Sequence, residues 1–91
     1  MSVFTELYRQ ADPRSGFIVG YQGVLGHKYR VRVYHYRGRE GYPDGWGGQI
    51  SVLREDVGKW EFLERAWDED SGEVVEALLL KRAGMLLEGQ V

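Results

Sequence analysis

Lys28-Tyr29-Arg30-Val31-Arg32-Val33-Tyr34-His35-Tyr36-Arg37 is the stretch on which the fold turns. Its residues alternate. In an extended chain Tyr29, Val31, Val33 and His35 fall on one side, and Arg30, Arg32, Tyr34 and Tyr36 on the other. The first set suits a core and the second a wet or ligand-facing surface. Upstream, Phe17 to Leu25 has the β-branched and aromatic content of a strand, with Gly20 and Gly23 marking a bulge or a close backbone approach. Gly26-His27 supplies a tight turn between the two.

Downstream, Gly38 to Gly48 holds five glycines and the turn signature Tyr42-Pro43-Asp44-Gly45, so it is expected to be a long irregular connector. Gln49 to Arg54 is expected as a third strand. Lys59 to Trp67 fits two periods. Val57, Trp60, Leu63 and Trp67 match a helix, but the aromatic content and Gly58 favour a fourth strand. At the start, Val3, Phe4, Leu7, Tyr8 and Ala11 recur at helical spacing behind a capping Ser2, which predicts a short helix to Gln10. At the end, Asp70 and Glu73 resemble a capping box for a helix from Ser71 to about Leu87. The sum is one α+β domain over residues 1–91: a four-stranded antiparallel meander with a short N-terminal and a longer C-terminal helix on one face. The apolar set of the last helix is too wide for one stripe, and a homodimer through it is expected.

Composition narrows the function. The chain has 91 residues, 43% hydrophobic and 29% charged, no cysteine and a formal charge of −2. That excludes a disulfide framework and a thiolate metal site. No apolar run is long enough for a membrane span, and Met1 to Ala11 lacks a secretory h-region, so a cytoplasmic setting is expected. Charge is uneven: residues 1–54 carry eight Lys/Arg and four Asp/Glu, a net +4, and residues 55–91 carry four and ten, a net −6.

Catalytic patterns are weak. His27 and His35 lie roughly 26 Å apart along a strand, too far to share a metal. The serines have no nucleophile signature, and Glu64, Asp68, Glu69 and Asp70 read as a solvated run before a helix. No catalytic residue, metal or cofactor is therefore expected. An enzyme would need a concave site with perturbed groups, such as His35 beside a carboxylate. The connector offers more. Arg37 and Arg39, with Tyr36, Tyr42 and Trp46, combine guanidinium forks with flat rings, which suits a nucleotide-type ligand. The Arg30, Arg32, Tyr34 and Tyr36 face has the style of an RNA-binding sheet, but two arginines in an acidic chain weigh against nucleic acid. Trp46, Trp60, Trp67 and six tyrosines exceed the needs of so small a core, and such residues anchor protein interfaces.

Gly47-Gly48-Gln49-Ile50-Ser51-Val52-Leu53, Gly58-Lys59 and Glu64-Arg65-Ala66-Trp67-Asp68, followed by an apolar helix, together resemble a family of uncharacterised small phage and bacterial domains. The likeness covers roughly residues 17–83. The family shows a Gly-Gly-x-Ile-Ser-x-Leu strand and an Asp-Arg-Gly-Trp-Asp-like stop, from which Glu64 and Ala66 depart. The resemblance implies a phage or mobile-element setting and no catalytic residue. The expected function is a non-enzymatic binding protein, a phage-encoded inhibitor occupying a host protein surface through Arg30, Arg32, Arg37, Arg39, Tyr42 and Trp46. The alternatives are a sponge for a small anionic nucleotide-type ligand and a small enzyme.

Overall fold

In the computed structural model, which describes residues 3–12, 15–41 and 43–89, the alternating stretch forms the central strand of a five-stranded sheet. The strands are β1 (Phe4–Asp12), β2 (Gly16–Gly23), β3 (Lys28–Tyr36), β4 (Gly45–Arg54) and β5 (Lys59–Asp68). They pair antiparallel in chain order, each hairpin to the next. A single helix, α1 (Gly72–Ala83), follows and widens into a π-helical segment, Gly84–Glu88.

Two expectations are overturned. The sheet has five strands rather than four, and residues 4–12 are strand rather than helix. The reason is a bulge. β1 pairs Glu6 with Tyr21 and then Tyr8 with Gly20, leaving Leu7 as the extra residue. A bulge turns a two-residue step into a three-residue step, so Phe4 and Ala11, seven residues apart as on one helix stripe, share the helix-side face of the strand, while Tyr8 lies on the other face over Gly20. Ser2, the expected cap, lies outside the described residues. β4 also starts earlier than expected, at Gly45, so the last glycines of the connector belong to the sheet. The strand alternative for residues 59–67 is the one found.

The sides of β3 fall as its alternation requires, except that His35, expected with the core set, shares that side but lies exposed near the strand end. Tyr29, Val31 and Val33 are buried beneath α1, joined by Val19, Ile50, Val75 and Leu79. Hiding each such aliphatic side chain contributes roughly 1.5–3 kcal/mol. Ser71 caps α1, its hydroxyl accepting from the Glu73 N–H at 3.1 Å. Gly48 lets the helix approach: a Cβ there would stand 2.9 Å from Val75 Cγ1 and 2.6 Å from the Arg32 carbonyl. On the same side Glu76 reaches the sheet. Its Oε2 accepts from Arg9 at 2.7 Å and from the Tyr21 hydroxyl. α1 packs on β3, β4 and β5 from one side only, which leaves the other face of the sheet uncovered.

Candidate functional site on the uncovered face of the sheet

Strand register arranges this face in rows. Across β3, β4 and β5 they run Arg30–Ser51–Phe62, Arg32–Gln49–Arg65 and Tyr34–Gly47–Trp67, with Leu53–Trp60 across β4 and β5 at one end and Tyr36–Gly45 across β3 and β4 at the other. β3 therefore supplies a line of cations that turns into tyrosines. β5 supplies rings with one arginine among them. β4 between them is a floor of shorter side chains.

The low floor lets the flanking side chains meet above it. The Arg30 guanidinium lies over the Trp60 ring, 4.5 Å from its centroid. At the other end the Tyr36 and Trp67 rings meet at 5.4 Å and 38°. That second contact depends on glycine. A Cβ at Gly45 would sit 2.2 Å from the Trp67 indole, and one at Gly47 would sit 2.6 Å from Tyr36. Tyr34 meets Tyr36 edge-on at 5.0 Å, and Arg65 stands over Phe62 at 5.5 Å. Hydrogen bonding with Tyr34 and then burial push the Tyr36 phenol above its ordinary value, while the Arg65 charge acts in the opposite direction. The rings remain accessible: Trp67 is 47% and Tyr36 45% exposed.

The aromatic shelf has a cationic hollow on each side. One, of about 790 Å³, is lined by Arg37, Arg39, His35 and Pro43 together with Tyr36 and Trp67. Its volume is in the range of small-molecule sites. The other is lined by Tyr34, Arg65 and Arg82 with the same two rings. Arg82 also donates to the Arg65 carbonyl.

Charge is segregated by face. Among the described residues, the uncovered side of β2 to β5 carries Lys28, Arg30, Arg32 and Arg65 and no carboxylate. Glu61, Glu64 and Asp68 of β5 pair in register with Val52, Ile50 and Trp46 and so point to the helix side, where Glu73 and Glu76 also lie. The imbalance read between the two halves of the chain thus becomes an imbalance between two sides of one sheet.

The expected binding residues separate. Arg30 and Arg32 are on the uncovered face, and Arg37 and Arg39 line the hollow. Tyr42 lies outside the described residues. Trp46 is not on the connector. It pairs with His35 in β4, faces the helix side and packs half-buried against the core, its ring 4.8 Å from His35. Its place on the shelf is taken by Trp67. The rings of β5 and Arg65 were missed as site residues, although the alternation Trp60-Glu61-Phe62 already put rings on one side and acid on the other.

Among the described residues no group of three or more His, Cys, Asp or Glu is placed to hold a metal ion, and no helix is long and apolar enough to cross a membrane. Comparison with known proteins finds no family model, no curated protein and no solved structure that matches the chain.

Proposed function

We propose that this chain is a non-enzymatic binding protein that holds a nucleotide-type group on the Tyr36–Trp67 shelf. A single observation carries the proposal: two exposed rings, seated over Gly45 and Gly47, lie between two arginine-lined hollows. A base needs a flat face to stack on, and a phosphate needs guanidinium forks within reach of it. Arg37 and Arg39 on one side, and Arg65 on the other, supply the forks.

Occupation of a host protein surface is the competing proposal. It would use the same face, because Trp, Tyr and Arg also anchor protein interfaces. The absence of any carboxylate from β2 to β5 on this face favours an anionic ligand. A homodimer through Val74, Met85 and Leu86, the exposed apolar residues of the helical segment, forms no part of the proposal.

The test is a thermal shift with AMP and ADP. A ligand that binds only the folded form raises Tm. The shift is expected in the parent protein and should vanish in Trp67→Ala and Arg39→Ala. No shift with either nucleotide, or an undiminished shift in both variants, rules the proposal out. Saturable binding of a protein with no nucleotide effect would favour the competing one.

A further inference from the structure

We infer that the natural ligand of the uncovered face is a single-stranded polynucleotide, which runs along β3 to β5 from the Tyr36–Trp67 shelf to the Arg30–Trp60 stack. The inference rests on the proposal that the shelf takes a base, and extends it along the sheet.

A free nucleotide leaves most of the face unexplained. From Lys28 to Tyr36 the strand runs roughly 26 Å, several times what one base and its phosphate occupy. Over that length the same two chemistries repeat. Rings recur on β5 at Trp60, Phe62 and Trp67, and cations recur on β3 at Lys28, Arg30 and Arg32. Successive stacking faces beside a cationic track are the means by which single strands are gripped without reading their sequence. Arg30 flat on Trp60 and Arg65 over Phe62 add composite layers of the same kind.

The charge distribution selects the occupant. Net charge averages over the whole surface, and −2 argued against nucleic acid. A strand lying on one side meets only that side, and there β2 to β5 present four cations and no acid, the acid of this face being Asp12 at the far edge on β1. A second copy docked face to face would oppose like charges along the whole contact. A copy docked with this face on the acidic helix side makes a heterologous contact, which builds rings or open filaments rather than a two-fold dimer. Paired bases are unavailable for stacking, so a duplex does not fit the rings.

Fluorescence anisotropy with labelled oligo(dT) and oligo(U), from the dinucleotide to the dodecanucleotide, tests the inference, with a DNA duplex and AMP alongside. Affinity should rise with length until about four or more nucleotides are covered. The longest single strand should bind at least on the order of ten-fold tighter than AMP. Binding should weaken with salt, and Arg30→Ala and Arg32→Ala should each reduce the log–log slope by about 0.7. Trp60→Ala should weaken the dodecamer on the order of ten-fold and leave the AMP thermal shift in place. Thermal unfolding of each variant checks that it is folded. Preference for dT or for U identifies DNA or RNA, and either supports the inference. AMP binding with no gain from length, or a duplex held as tightly as the single strand, overturns the polynucleotide and leaves the nucleotide site standing. No binding of either AMP or oligomer overturns both.

Discussion

Glu88 and Tyr29 are joined by a buried hydrogen bond of 3.0 Å, from the Tyr29 hydroxyl to Glu88 Oε1. Glu88 is 2% exposed, and its other oxygen accepts from the Leu25 N–H at 3.1 Å. The π-helical end of the chain is thereby fastened to β3 and to the turn before it. Glu88→Ala leaves a buried hydroxyl and a backbone N–H without their acceptor. The expected loss is about 1–3 kcal/mol, and each kcal/mol lowers Tm by roughly 4–8 °C in a domain of this size. Glu88→Gln keeps one acceptor and should lose less. Calorimetry of the three proteins checks the order.

Tyr21 and Tyr29 should make the fold sensitive to alkali. Burial is the main cause that pushes both phenols well above their ordinary value of 10.0, followed by the hydrogen bonds to Glu76 and Glu88 respectively. The folded state holds these protons more tightly than the unfolded state. Their contribution is therefore complete below about pH 10 and is lost as pH rises through the folded values. Each phenol can tilt stability by up to about 1.4 kcal/mol per pH unit in that window. Urea unfolding between neutral pH and strong alkali should show the decline, and Tyr21→Phe with Tyr29→Phe should flatten it.

Gly47 and Gly48 should respond differently to alanine. At Gly48 the new methyl meets the Arg32 carbonyl and Val75, which hold the helix against the sheet. Gly48→Ala should cost about 1–3 kcal/mol. At Gly47 the methyl meets the end of the Tyr36 ring, which can swing. Gly47→Ala should change stability by under about 1 kcal/mol but disturb the shelf and weaken AMP binding on the order of ten-fold. Denaturant melts and nucleotide titrations on the two variants separate packing from binding.

Ser71→Ala removes the side-chain acceptor at the start of α1. A lost cap of this type costs about 0.5–2 kcal/mol. Because Ser71 lies at the opposite end of α1 from Arg82, the helix residue that lines a hollow, nucleotide affinity at low temperature should be unchanged. A loss of affinity in this variant at a temperature where it is fully folded would contradict that separation.

The order of elements after residue 15 and the two sides of β3 were legible in the chain, because alternation is imposed by the pleat of each strand on its own. Tyr29, Val31 and Val33 had to share one face and Arg30, Arg32 and Tyr34 the other, whatever lay beside them. The start of α1 was legible to within a residue from its polar cap sequence, although Ser71 rather than Asp70 is the cap. β1 was not. Its bulge at Leu7 exists only in pairing with β2, and without the partner Phe4 and Ala11, seven residues apart, read as one helical stripe rather than one strand face.

The site divides along the same line. The cations of β3 and the arginines of the connector follow from local pattern, while the shelf comes from register between strands distant in sequence. Pairing set Trp46 opposite His35 on the core side and Trp67 opposite Gly47 on the free side. Pattern and composition along the chain determined a small α+β domain rich in arginine and rings, with its charge unevenly spread. Tertiary pairing decided which rings meet, because glycine on the middle strand lets Tyr36 and Trp67 touch across it. It also decided that the acids of β5 lie on the opposite side from the cations of β3, since a side chain's face in a sheet depends on its register with its neighbour.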